Sequence, residues 1–229
     1  MNPKNTLAVA PAGGTPAGRK PRADGVESRQ AILHAAAHLA TTRGLEGLSI
    51  GELAQHIGMS KSGLYAHFKS KEELELATIE TAAEIFQREV LGTARESPAG
   101  LGRVWALTEA FLGHLERRVF PGGCFFATVA AQLASRPGRP RDRVTDLLRL
   151  WEEQFVDALG EAARAGELPA GADADQLVFE ITAMLTRANF TWIQAGDARV
   201  LERARLGIRH VIERASGPGR RRRESRSRR

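Results

Sequence analysis

Lys61, Ser62, Gly63, Tyr65 and His67 lie within the seven residues KSGLYAH, and their types suit the reading of a polyanion. On a helix from Ser60 to Phe68, Leu64 and Phe68 share one side, so Ser62, Gly63 and Ala66 point away from it. A face of such small side chains lets the backbone approach a DNA major groove closely, while Lys61, Tyr65 and His67 reach from its flanks towards bases and phosphates. Lys71 is a separate signal. A cation in the first turn of a helix opposes the macrodipole by about 0.3 kcal/mol or more, and a phosphate there would take up both the ammonium and the free N–H groups of the helix end.

Two short capped helices and a turn must position these groups. Ser49 is set to accept the backbone N–H of Glu52 while the Glu52 side chain reaches back, a capping box, with Leu48 and Leu53 as a hydrophobic staple. Ile50, Leu53, Ala54 and Ile57 follow at helical spacing. Gly58 ends that helix, since glycine reaches positive φ without a Cβ clash. Ser60 caps the second helix, with Met59 and Leu64 as its staple, and Ser70 with Glu73 caps a third. Residues 49–68 therefore have the layout of a DNA-reading helix-turn-helix.

The stretch GLEGLSIGELAQHIGMSKSGLYAHFKSKEEL resembles the N-terminal domain of TetR-family transcriptional regulators through Gly44, Ser49, Leu53-Ala54, Gly58, Ser60, Leu64-Tyr65, His67-Phe68 and Lys71. The resemblance covers roughly residues 27–80. It implies that Lys61, Ser62, Gly63 and Tyr65 face bases or adjacent phosphates, that Ser49, Tyr65, His67 and Lys71 grip the DNA backbone, and that Ser60 belongs to the same set. It also implies a repressor that binds a palindromic double-stranded operator as a homodimer and is released by a small effector. PGGCFFATVAAQLASRPGRPRDRV is similar to a C-terminal subgroup with a GGC motif, an RPG turn and an Arg-Asp pair; Gln132 stands where an acidic residue is expected in that subgroup.

Composition predicts an all-α chain: Ala, Leu, Arg and Glu dominate and period-two β-branched runs are missing. The expected domains are a disordered arm over 1–25, a three-helix DNA-binding domain over 26–71, a regulatory ligand-binding and dimerisation domain over 72–215 and a disordered Arg-rich tail over 216–229, with about nine helices in all. The net charge of +6 is concentrated in the tails; residues 26–71 are mildly basic and 72–215 net acidic, which suits one DNA-binding end. The tail adds sequence-independent phosphate attraction or is merely a solubilising end, and Arg19, Lys20 and Arg22 are candidates for a minor-groove arm. One cysteine and no apolar run of about 20 residues predict a cytoplasmic, membrane-free protein, nucleoid-associated when DNA-bound.

Helix 1 is expected over 26–42, with a connecting helix from Lys71 to about Leu91 and further helices near 98–118, 123–135, 141–166, 173–195 and 197–215, separated by Pro and Gly breakers. Leu201, Ala204, Ile208, Val211 and Ala215 form a narrow seam at spacings of three and four. Leu177, Ile181, Met184, Ala188 and Trp192 lie on a wide apolar arc of the helix before it. The family resemblance implies that these last two helices pair with their twins in a dimer, the alternative being one monomeric core. Trp105, Phe111, Phe125, Trp151 and Phe155, with Phe86 and Cys124, are the candidate lining of a pocket for a hydrophobic or aromatic effector; cores use the same side chains.

No catalytic residue, metal site or cofactor is expected. Cys124 beside Phe125 and Phe126 reads as a small buried residue before it reads as a nucleophile. His34 and His38 have metal-compatible spacing without a third ligand. Gly58 to Gly63 lacks the Lys-Ser/Thr of a phosphate loop. The remaining alternatives are a ligand-independent DNA-bound activator or architectural factor and an enzyme using Cys124.

Overall fold

The computed structural model describes residues 21–217, with side chains from residue 28 onward; the arm through Arg19 and Lys20, the Arg22 side chain and the arginine tail lie outside the described residues. Regular structure among the described residues is helical throughout: α1 (Pro21–Arg43), α2 (Ile50–His56), α3 (Lys61–His67), α4 (Lys71–Phe86), α5 (Leu101–Glu116), α6 (Phe125–Leu133), α7 (Arg139–Arg164), α8 (Ala174–Ala195) and α9 (Arg199–Ala215). A π-helical segment, Gln87–Gly92, and a last turn, Thr93–Arg95, continue α4.

Two boundaries differ from expectation. The chain is already helical at Pro21, the first of the described residues and five residues before Val26. The connecting helix does not stop at Leu91. Its hydrogen bonds widen to the π pattern and carry the backbone through Gly92 to Arg95 before Ser97 and Pro98 end it.

The caps form as the residue types demand. Ser49, Ser60 and Ser70 accept from the backbone N–H groups of Glu52, Gly63 and Glu73, each at 3.1 Å. The Glu73 carboxylate reaches back to the Lys69 N–H at 2.9 Å, and Ser49 donates to Glu52 Oε2 at 3.1 Å. Gly58 turns the chain at φ +70°. Ile32, Leu45, Leu53, Leu64, Phe68 and Leu74 are fully buried between α1, α2, α3 and α4. Each contributes about 1.5 to 3 kcal/mol by leaving water.

The helix-turn-helix end is held to the body at three places. Thr41 Oγ1 at the end of α1 accepts the Gly122 N–H at 3.1 Å, and a Cβ on Gly122 would stand 1.9 Å from the Thr41 carbonyl, so only glycine fits there. Gln132 Oε1 accepts the Leu45 N–H at 3.1 Å. Buried Glu75 of α4 takes a bidentate pair from Arg136, at 3.1 and 2.9 Å. On the other side of the GGC turn, Asn189 Oδ1 of α8 accepts the Cys124 N–H at 2.8 Å. The motif is a structural pinch between α1 and α8.

Helices α8 and α9 pack on each other within the one chain. Leu177, Ile181, Ala188, Leu201, Ala204, Ile208 and Val211, expected at a dimer interface, are buried in that packing. Met184 is half-buried with its sulfur against Gly207, and Trp192 is turned inward to donate from Nε1 to the Leu115 carbonyl at 3.1 Å. The periodicity of α9 was satisfied by its neighbour in sequence. No helix among the described residues is long and apolar enough to cross a membrane.

Candidate nucleic-acid interface and internal cavity

Helix α3 buries Leu64 and follows it with buried Phe68, which leaves Lys61, Ser62, Tyr65 and Ala66 exposed and Gly63 and His67 half-exposed. Tyr65 is 58% exposed, an aromatic ring kept in water on a face otherwise made of small residues. The hydroxyls of Ser60 and Ser62 are 3.1 Å apart, and the Lys61 stem lies against Gly51 of α2. Ser49, Ser60 and Lys71 stand at the starts of α2, α3 and α4.

Lys71 has partners the sequence did not reveal. Its ammonium donates to the Glu46 carbonyl at 2.6 Å and lies 4.0 Å from the carboxylate of buried Glu75. The conflict with the macrodipole is answered inside the protein, by these groups and by Glu72 and Glu73 in the same turn. An external anion is therefore not required to explain this lysine.

The body contains a cavity of about 950 Å³ between α4, α5, α6, α7 and α8. Phe86, Phe111, Cys124 and Trp151 line it, together with Phe126, Leu147, Leu148, Phe179 and Phe190. Trp151 stacks on Phe111 at 5.8 Å and meets Phe86 edge-on at 5.2 Å. Trp105, Phe125 and Phe155 are not part of the lining. Phe125 and Phe155 are fully buried core, the latter behind Trp151 at 4.8 Å, and Trp105 packs half-buried against the core on α5. Phe179 and Phe190 were missed; their only sequence signal is an aromatic on the α8 face away from Leu177 and Ile181.

Charged side chains line the cavity beside the rings: Glu80, Glu84, Arg95, Glu152 and Arg187. Arg143 clamps Glu80 through two hydrogen bonds, at 2.6 and 2.8 Å, which holds the Glu80 carboxyl below the usual range and ties α4 to α7. Gln87 in the π-helical segment and Gln154 of α7 offer neutral donors and acceptors. Burial pushes the Cys124 thiol up to about 11, so it is a poor nucleophile although it borders the cavity. His34 and His38 are both exposed, the His38 ring standing edge-on to Phe120 at 5.4 Å; no group of three metal-ligating side chains occurs among the described residues.

A short helix with a solvent-facing aromatic, set at the start of a long helix that also walls a hollow helical body, defines a helix-turn-helix regulator with a DNA-binding end and a separate ligand-sized chamber. Comparison with known proteins carries this to a family. The family model for bacterial regulatory proteins of the tetR family matches residues 32–78, and that for the tetracyclin repressor-like C-terminal domain matches residues 100–208. The chain belongs to the TetR family of DNA-binding transcriptional regulators. It is 26% identical over 152 residues to the transcriptional regulator AcuR of Cereibacter sphaeroides, spanning 66% of this chain and 69% of that protein. A TetR transcriptional regulator from Chloroflexus aurantiacus has the same fold at a TM-score of 0.76, with 27% identity over 83% of this chain and 94% of that one. AibR, solved in complex with isovaleryl coenzyme A and operator DNA, shares the fold at a TM-score of 0.62 and 21% identity, over 76% and 94% of the two chains.

Proposed function

We propose that the protein is a repressor that binds a palindromic operator as a homodimer and is released when a small hydrophobic or aromatic effector enters the cavity. The observation that carries the DNA-reading part is the exposed face of α3, with Tyr65 left in water between Lys61 and His67. In this reading Lys61, Ser62, Gly63 and Tyr65 meet bases and adjacent phosphates, and Ser49, Ser60, His67 and Lys71 hold the DNA backbone. Residues 26–71 form the reading domain and 72–215 the regulatory one, and the protein sits on the nucleoid when bound.

The effector part rests on four aromatic rings, Phe86, Phe111, Phe126 and Trp151, around a space large enough for a drug-sized molecule. Helix α4 walls that space from Glu80 onward and begins beside α3, so an effector that prefers one tilt of α4 shifts the spacing of two reading heads. A tenfold loss of operator affinity needs about 1.4 kcal/mol of differential binding.

Fluorescence anisotropy against the upstream intergenic duplex and a scrambled duplex, at physiological salt, tests the DNA part. Specific binding three or more decades above the scrambled duplex is expected. Tyr65→Ala should lower specific affinity about tenfold without changing thermal stability, and Lys61→Ala should reduce the slope of log K against log salt by about one. Equal, weak binding to both duplexes would instead favour an architectural factor.

A further inference from the structure

His114 on α5 is a buried polar residue whose side chain has no partner. It is 1% exposed, and neither Nδ1 nor Nε2 has a hydrogen-bonding group within reach. The other buried polar residues among the described ones are all served: Glu75 by Arg136, Asn189 by the Cys124 N–H, and four threonines by carbonyls of the preceding turn. A neutral imidazole carries one N–H and one lone pair, and hiding both from water without replacement is unfavourable. Leucine would fill such a site at no polar cost. An incoming polar group therefore gains hydrogen bonds at His114 without displacing any.

One ring separates His114 from the cavity. Phe86 meets the imidazole edge-on at 5.9 Å and itself lines the cavity with Phe111, Phe126 and Trp151. Phe120 covers the imidazole elsewhere, at 5.6 Å, and is fully buried without bordering the cavity. A side chain that faces a hollow has fewer packed atoms opposing its rotation than one enclosed by core, so Phe86 can swing into the cavity where Phe120 cannot move. Glu84, Arg95, Glu152 and Arg187 are exposed, whereas Phe86, Phe111 and Phe126 are buried. The charged lining thus lies at the mouth, and the rings with His114 behind them form the inner end.

We propose that His114 is the specificity residue of the cavity: rotation of Phe86 admits an aromatic effector bearing an uncharged hydroxyl, whose O–H donates to an imidazole nitrogen. The proposal rests on the reading of the cavity as the effector site and adds what its inner end recognises. A carboxylate or an ammonium is kept from that end by the cost of burying a charge among aromatic rings. The same burial keeps the imidazole itself uncharged, its pKa lowered to about 4. In the resting state Phe86 covers His114, and the polar contact exists only in the minor conformer that the effector selects.

The test uses the full chain with Nile red, a neutral apolar dye, as cavity probe. Its two competitors, para-cresol and para-xylene, have one shape and differ by a hydroxyl in place of a methyl. The ratio of their inhibition constants is read. His114→Leu should shift it about tenfold towards para-xylene, the contribution of one hydrogen bond. His114→Gln, which keeps a donor and an acceptor, should shift it less. Phe86→Ala removes the intervening ring and should shift it towards para-cresol. In wild-type protein carrying ¹⁵N-labelled histidine, para-cresol should move the ring-nitrogen resonances that His114→Leu lacks, and para-xylene should leave them in place. An unshifted ratio in His114→Leu, no competition by para-cresol, or His114 resonances that para-cresol does not move overturns the proposal. If His114→Leu does not fold, Phe86→Ala decides: a shift towards para-cresol supports the proposal and an unchanged ratio overturns it. Ala130→Trp fills the cavity from α6. Unchanged Nile red binding in this variant overturns the effector-site reading itself, whereas lost dye binding there with an unshifted His114→Leu ratio overturns only the assignment of His114.

Discussion

Gln132 Oε1 on α6 accepts the backbone N–H of Leu45, 87 positions earlier in the chain, at 3.1 Å. Helix α6 thereby touches both ends of the proposed signal: Phe126, Ala127 and Ala130 line the cavity, and Gln132 holds the turn between α1 and α2. Gln132→Ala should lower stability by about 1 kcal/mol, the usual net contribution of one such bond, and blunt any effect of a cavity occupant on operator binding. Gln132→Glu keeps the accepting oxygen and should behave as wild type. Hydrogen exchange at the Leu45 amide, faster in the alanine variant alone, checks it.

Arg136→Ala should be more costly than a surface ion-pair loss, because Glu75 is 1% exposed and loses its bidentate partner. Removing one member of a buried pair costs about 3 kcal/mol or more, partly relieved here by Lys71 at 4.0 Å. Urea denaturation should show that loss. The double variant Glu75→Leu with Arg136→Leu should recover most of it, since no unpaired charge remains buried.

Acidification should destabilise the fold through His114. Its ring is buried between Phe86 and Phe120, at 5.9 and 5.6 Å, and neither nitrogen is hydrogen-bonded. Burial, aided by Arg117, lowers its pKa from 6.5 to about 4. The unfolded chain thus takes up a proton at higher pH than the folded one, so stability is full above pH 6.5 and is lost as pH falls towards 4. The slope is about 1.4 kcal/mol per pH unit. His114→Leu should flatten the part of the urea-denaturation profile between pH 6.5 and 5 that this residue supplies; an unchanged profile would assign it to other groups.

The two tryptophans expected in one pocket should separate. Trp151→Ala removes a stacked wall of the cavity and should weaken Nile red binding about tenfold or more, while Trp105→Ala, outside the lining, should leave it unchanged. Operator affinity should survive both, because neither residue belongs to α1, α2 or α3. Anisotropy and dye titration on the same preparations measure both effects.

Cys124 should react slowly with a soluble disulfide reagent at pH 8. It is 3% exposed and its thiol is raised from 9.0 to about 11, so thiolate is about a hundredfold scarcer than in an ordinary thiol, before access is counted. Labelling that matches global unfolding in rate is expected; fast labelling of the native protein would contradict the burial.

What the sequence determined by itself is local. Ser49, Ser60 and Ser70 cap their helices, Gly58 makes the turn, and Leu64 and Phe68 face inward, because capping and turn geometry depend on residues no more than four apart. Helix positions in the body were legible for the same reason, from Pro and Gly breakers and from apolar periodicity. Only the tertiary structure decided what each face meets. A period of 3.6 says that Leu201, Ala204, Ile208 and Val211 share a stripe, but the stripe is satisfied equally by a twin helix or by α8 of the same chain, and here α8 takes it. Likewise Phe155 and Trp151 lie on one helix, yet the first is core and the second borders the cavity, since the angle at which neighbouring helices cross α7 sets which ring is covered. The bonds from Gln132 to Leu45 and from Arg136 to Glu75 join positions 87 and 61 residues apart, and no local pattern announces such pairs.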